Sequence, residues 1–197
     1  MTRNDYNPLL RDVAAEPAIA VLELCSVARG FEVCDAILKE STLEVLFATP
    51  VHPGKYVMLF TGSVDDLASA LRRGAAVAQG DLVDQLLIPQ VHPQVLKTLR
   101  RRDGEVTGMI DALGVIETAT VASCIRAADQ ALKRATVDLL DLRIANGLGG
   151  KSYVSLTGEV SDVRAAVQAG AGAAEADGRL QRQVVIPQPH PELVRHL

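Results

Sequence analysis

The stretch Ile88-Pro89-Gln90-Val91-His92-Pro93 occurs a second time in this 197-residue chain, as Ile186-Pro187-Gln188-Pro189-His190-Pro191, 98 positions later. Toward the N-terminus, Gly54-Lys55, Thr61-Gly62 and Gly74-Ala75 return as Gly150-Lys151, Thr157-Gly158 and Gly170-Ala171 at an offset of 96. Further back, Val21-Leu22-Glu23 returns as Val115-Ile116-Glu117, and Asp35 to Lys39 as Asp129 to Lys133, at an offset of 94. Ordered matches with small stepwise insertions mark a duplication, not a single domain. The chain therefore divides into a polar N-terminal extension (residues 1–17), a first copy (18–104) and a second copy (105–197).

Each copy carries the same coarse pattern. An apolar run from Ala18 to Leu24 predicts a strand and Val27 to Leu38 a helix. Thr42 to Thr49 and Lys55 to Thr61 read as two strands about a turn, Val64 to Gln79 as a second helix and Leu82 to Ile88 as a closing strand. Ser63, three residues ahead of Asp66, is a capping-box-like start, and Gly80 marks the helix end. Small residues at Gly74, Gly170 and Gly172 permit close approach of the second helix in each copy. The order β-α-β-β-α-β is the ferredoxin-like split sandwich, with helices on one face of a mainly antiparallel sheet, so the fold class is α+β.

Composition narrows the function. A formal net charge of −4 and 3% aromatic residues provide neither a basic footprint nor stacking platforms for nucleic acid. No apolar stretch approaches the roughly 20 residues that span a bilayer, and Met1 to Pro17 has no signal-peptide core, so a cytoplasmic protein without a membrane partner is expected. Cys25, Cys34 and Cys124 lack metal or disulfide spacing and read as buried free thiols. Copies this small bury a modest fraction of their surface alone, which favours oligomerisation. No nucleophile elbow, Walker loop or metalloprotease pattern is present. Gly147-Leu148-Gly149-Gly150-Lys151 looks like a phosphate loop, but Ser152-Tyr153 leads into a strand and leaves no helix N-terminus to face a phosphate. The chain is not expected to be an enzyme.

The set Val-Leu-Glu-Leu, Asp-Ala-x-x-Lys, a Gly-Lys hairpin, Thr-Gly-x-Val-x-Asp and Ile-Pro-x-x-His, in this order and repeated, resembles the bacterial microcompartment shell domain. The resemblance runs from Ala18 to Leu197 and is greatest to the tandem, trimer-forming class. Within that class it is greatest to the members from propanediol-utilisation compartments whose pore carries an iron-sulfur cluster. It implies a structural shell protein: a homotrimer that mimics a hexagon, tiles with other shell proteins and surrounds a pore for small metabolites. The resemblance places the pore lining at Val51, His52, Pro53 and Gly54 in the first copy and at Asn146, Gly147, Leu148, Gly149 and Gly150 in the second. It places the tile edge at Lys39 and Lys133, with Gln90 and Gln188 where the family commonly has an arginine. Lys39 and Lys133 stand four residues after Asp35 and Asp129, so each also forms an intrahelical pair. Lys55 and Lys151, after the loops, read as solvated lysines or as a source of positive potential near the opening. His92 and His190 read as helix-entry residues beside Pro93 and Pro191.

Three residues depart from the class. His52 stands where the cluster-bearing members have cysteine, and thiolate is the usual cluster ligand, so no iron-sulfur cluster and no other cofactor is expected. Three His52 side chains around a pore could instead hold a divalent transition metal or a pH-sensitive positive charge. Gln90 and Gln188 lack the charged fork of arginine, which weakens lateral association. The alternative function is a duplicated metabolite-binding regulator on the same fold, using clefts between copies.

Overall fold

A computed structural model describes residues 18–101, 110–145 and 147–197. The N-terminal extension and the boundary between residues 104 and 105 lie outside the described residues. In the first copy β1 (Ala18–Leu24), α1 (Val27–Glu40), β2 (Glu44–Val51), β3 (Lys55–Gly62), α2 (Val64–Ala78) and β4 (Leu82–Ile88) follow in the expected order, and α3 (Pro93–Arg101) comes after them. The second copy repeats it with β5 (Ala112–Thr118), α4 (Val121–Arg134), β6 (Asp138–Ile144), β7 (Ser152–Gly158), α5 (Val160–Ala176), β8 (Leu180–Pro187) and a one-turn α6 (Pro191–Val194). The sheets have strand orders β2-β3-β1-β4 and β6-β7-β5-β8, all antiparallel. This is the α+β sandwich read from the sequence. Even a local irregularity is duplicated: the register shifts between Glu23 and Leu24 on β1 and between Glu117 and Thr118 on β5.

The ends of the helices have local causes. The Ser63 hydroxyl accepts from the Asp66 amide at 3.1 Å and donates to the Asp66 carboxylate at 2.7 Å, closing the capping motif. At the other end Gln79, not Gly80, takes the positive φ (52°) and stops α2. β2 runs two residues beyond its expected end, because Val51 pairs with Lys55 across the hairpin. The turn is thereby reduced to His52-Pro53-Gly54, and the Val51 side chain is buried.

The two faces of the first sheet meet different partners. Ala20, Leu22, Tyr56, Met58 and Phe60 face α1 and α2 and form a core with Val33, Ile37 and Leu67. The alternate residues Ile19, Val21, Val57, Leu59, Leu86 and Ile88 join a second core that includes Val121, Ile125 and Ala128 of α4. Period-2 alternation thus gives both faces of the strands an apolar partner, one in each copy. The copies share a continuous core and are not beads on a linker.

Glycine permits closer packing in the second copy. A Cβ on Gly170 of α5 would lie 2.5 Å from the Ala127 carbonyl oxygen of α4 and 2.7 Å from Ile116 Cδ1, so α5 sits against backbone that has little freedom to yield. Two residues on, a Cβ at Gly172 meets nothing. Gly170→Ala is therefore expected to destabilise the chain by about 1–3 kcal/mol through overpacking. Gly172→Ala should stabilise it by up to about 1 kcal/mol through helix propensity. Urea unfolding of both variants checks the opposite signs.

The thiols differ from the expectation of uniform burial. Cys124 is buried and its thiol is pushed up to about 12, chiefly by burial. Cys34 is half-buried and raised for the same first reason, with Asp35 adding to it. Cys25 is exposed, its Sγ lying 3.6 Å from an Asp81 carboxylate oxygen. Only thiolate reacts rapidly, so native protein at pH 8 should leave Cys124 unlabelled by iodoacetamide until denaturant is added. Peptide mass mapping reads the outcome.

Candidate functional site

The junction of the two copies is organised around a carboxylate. Glu23, next to last in the otherwise apolar β1, is fully buried, and an uncompensated charge there costs several kcal/mol. Its Oε1 accepts from Lys55 Nζ at 2.8 Å and its Oε2 from the Val121 amide at 2.8 Å. Val121 is the first residue of α4, so the carboxylate also meets the positive end of that helix. Lys55 Nζ donates further to the carbonyl oxygens of Ala119 at 3.4 Å and Gly150 at 3.2 Å. Lys55 is thus no solvated surface lysine. It joins β1 of one copy to the helix start and loop of the other.

These bonds hold the two candidate loops side by side. A Cβ on Gly150 would come 2.9 Å from Pro53 Cδ, and Gly150 has φ 86°, so both space and backbone require glycine. His52, Pro53 and Gly54 are exposed, as are Gly147 and Gly149, while Leu148 is half-buried and Gly150 buried. Val51 belongs to the first loop through its backbone alone: its carbonyl accepts from the Gly54 amide at 2.9 Å. The second turn closes the same way, with the Lys151 amide on the Leu148 carbonyl at 3.2 Å. Asn146 lies outside the described residues. Among the described residues of one chain, no three His, Cys, Asp or Glu side chains are grouped to hold a metal ion. A metal on His52 therefore needs imidazoles from several chains.

From Val121 to Lys133 α4 rises about 18 Å at 1.5 Å per residue, which separates the loops from a second polar cluster. There Lys133 Nζ donates to the Gln90 carbonyl at 2.5 Å and to Asp129 Oδ2 at 2.7 Å. The buried Asp129 accepts the His92 amide at 2.8 Å through its other oxygen. Two of the four expected edge residues, Lys133 and Gln90, are thus in contact. Lys39 is exposed and pairs with Asp35 at 2.6 Å, and Gln188 is exposed with its amide donating to the Asp111 carbonyl at 2.7 Å.

His92 and His190 enter their helices as expected: Nδ1 of each accepts an amide, from Gln94 at 3.3 Å and Glu192 at 3.2 Å. Beyond His92, the Gln94 side chain reaches the second copy. Its Oε1 accepts from the Leu139 amide at 2.8 Å, and its Nε2 donates to the Val137 carbonyl at 3.4 Å and Asp138 Oδ1 at 3.3 Å.

The arrangement is a structural frame with an exposed pair of loops. A match to the family described as BMC domain covers residues 18–91 and again 112–189. The chain belongs to the BMC-domain family of microcompartment shell proteins. It is similar to the bacterial microcompartment shell protein PduT of Citrobacter freundii, 37% identical over 180 residues that cover 91% of this chain and 97% of that protein. It also resembles the shell protein EutM of Salmonella typhimurium, 38% identical over 84 residues, 43% of this chain and 85% of the relative, a length that corresponds to one copy. Among solved structures, a microcompartment protein of Desulfitobacterium hafniense superposes with a TM-score of 0.79 at 44% identity, covering 92% of this chain and 99% of that one. This BMC-domain protein has no described helix long and apolar enough to cross a membrane.

Two outcomes test the junction. Lys55→Ala leaves Glu23 buried beside a helix start with no countercharge, and should lower stability by about 3–5 kcal/mol in equilibrium unfolding. His92 gives a pH signature. Burial lowers its pKa below the ordinary 6.5, with Lys133 acting in the same direction and Asp129 opposing. The unfolded chain therefore binds the proton more tightly, and the contribution of His92 is complete above about pH 6.5 and lost as the pH falls below it. His92→Asn keeps a helix-capping acceptor without titrating, so its melting temperature should fall less than that of wild type between pH 7 and 5.

Proposed function

We propose that this shell protein closes as a homotrimer whose three chains, each supplying two copies of the domain, surround a pore and tile with other shell proteins. The observation that carries the reading is the contact between the two loops, with Lys55 of the first copy on the Gly150 carbonyl of the second. Threefold repetition of such a pair alternates the two loop types around one opening, since unlike surfaces joined head to tail form a ring when the rotation closes. The relatives matched are shell proteins, which favours this reading over a duplicated metabolite-binding regulator.

In this arrangement His52, Pro53, Gly54, Gly147, Leu148 and Gly149 form the rim, together with the backbone at Val51 and Gly150. Asn146 is assigned to the rim from the sequence alone. Glycine backbone at positive φ exposes N–H groups suited to small anionic or polar metabolites. The His52 imidazoles offer three ring nitrogens for a divalent metal. Neither loop contains cysteine, so an iron-sulfur cluster is not part of the proposal. Lys39, Lys133, Gln90 and Gln188 form the contact with neighbouring tiles.

Light scattering of purified protein should give three chain masses, and electron microscopy of concentrated samples should show layers; a monomer at high concentration sinks the reading. Elemental analysis should find no stoichiometric metal in protein as purified. Titrated zinc, if the three imidazoles converge, should bind with a stoichiometry of one per trimer that His52→Ala abolishes.

A further inference from the structure

The start of β6 is closed by a side chain and not by a strand, and that side chain comes from the other copy. β6 is an edge strand of the second sheet. Gln94, in the first turn of α3, accepts from the Leu139 amide at 2.8 Å and donates to the Val137 carbonyl at 3.4 Å and to Asp138 Oδ1 at 3.3 Å. The main chain of the same residue is held by an imidazole, the Gln94 amide donating to His92 Nδ1 at 3.3 Å. An amide in the first turn of a helix has no partner within the helix, so this one depends on His92. Gln94 thus carries two linked contacts, its main chain on a titratable group and its side chain on the second copy.

The link works only with a neutral imidazole. Nδ1 accepts a hydrogen bond while it carries no proton, whereas imidazolium has a donor on both nitrogens. Protonation therefore sets N–H against N–H at the Gln94 amide. The charges around His92 largely cancel. From α4, Asp129 Oδ1 already accepts the His92 amide, and its Oδ2 accepts from Lys133 Nζ at 2.7 Å. From β6, Asp138 faces the same turn through Gln94, and on α3 itself Lys97 is exposed. Burial holds the His92 pKa below the ordinary 6.5, with Asp129 opposing and Lys133 adding to the shift. Opening this turn lifts the penalty, so the open form binds the proton more tightly. The rest of α3 stays in place, because Val95, Leu96 and Leu99 are buried in the core.

We propose that His92 and Gln94 form a pH-operated strap: neutral His92 keeps Gln94 on the edge of β6, and protonation of His92 releases it, leaving the Leu139 amide and the Val137 carbonyl free. Acid then loosens the seam between the copies at this edge and uncovers strand backbone that the carboxamide had occupied. The second copy offers an internal comparison. His190 Nδ1 accepts the Glu192 amide at 3.2 Å in the same way, but the Glu192 carboxylate pairs with Arg195 at 2.8 Å in its own helix. The imidazole entry to the helix is duplicated, whereas among the described residues the link from it to a strand edge occurs at His92.

Amide hydrogen exchange in the full chain reads the strap directly. With the intrinsic rate divided out, protection of the Leu139 amide should fall several-fold between pH 7 and pH 5, toward the about tenfold that one unit of difference between closed and open pKa allows. His92→Asn keeps an acceptor for the Gln94 amide and does not titrate, so Leu139 should stay protected at both pH values. Gln94→Ala should leave it unprotected at both. Linkage supplies a second readout: if the proton releases Gln94, removing the carboxamide must make the proton bind more tightly. NMR titration of the imidazole should therefore give a higher His92 pKa in Gln94→Ala than in wild type, although alanine retains the backbone amide that faces Nδ1. Circular dichroism confirms that both variants fold. Wild-type protection that is unchanged at pH 5, or that is lost equally in His92→Asn, overturns the proposal. So does a His92 pKa that Gln94→Ala leaves unmoved, since the two residues are then not coupled.

Discussion

A buried carboxylate governs the arrangement of this molecule. Glu23 occupies a strand whose other positions are apolar, and each of its oxygens is held by a group that the second half of the chain presents or helps to fix. Charge in such a place tolerates little variation in geometry, since a lost partner leaves an unsolvated ion. The start of α4, the Ala119 carbonyl and the glycine turn at Gly150 are therefore set with respect to β1. The apolar contacts between the copies supply most of the driving force, but they would accept small slides. The polar triad of Glu23, Lys55 and the Val121 amide fixes the register.

The fold uses duplication in an unequal way. The first sheet has apolar partners on both faces, whereas the outer face of the second carries Tyr153, Ser155 and an exposed Val184. Within each copy the elements and even the strand irregularity are kept. What has diverged is the surface at which one copy meets another. The first loop is the shorter and carries an imidazole; the second is glycine-rich, with φ above zero at Gly147, Gly149 and Gly150.

The fold was almost fully legible in the sequence, because its signals are local and occur twice. Short apolar segments between turns placed β1, β3 and β4 within a residue of their observed ends, and Ser63 marked the start of α2. β2 was displaced because its boundary is set by pairing of Val51 with Lys55, a cross-strand constraint that local composition does not carry. The candidate site was legible in part. The family resemblance pointed to both loops and to Lys133 with Gln90, but Lys55 looked like a surface lysine and Asp129 like half of a solvated helix pair. Both depend on contacts some 30 to 100 residues away. The available clue was Glu23 and Glu117, a charged residue in the same place in two apolar strands, since a carboxylate is almost never fully buried unless paired.

The Gln94 carboxamide has a consequence for how the protein associates. By accepting from the Leu139 amide and donating to the Val137 carbonyl, it imitates one residue of a neighbouring strand at the start of β6, an edge of the second sheet. Hydrogen-bonding groups that would otherwise template another chain are already occupied by a side chain of the same molecule. Growth by strand addition, the route to fibres, is blocked at that point. At that point any contact with another chain has to be made by side chains and not by the strand backbone.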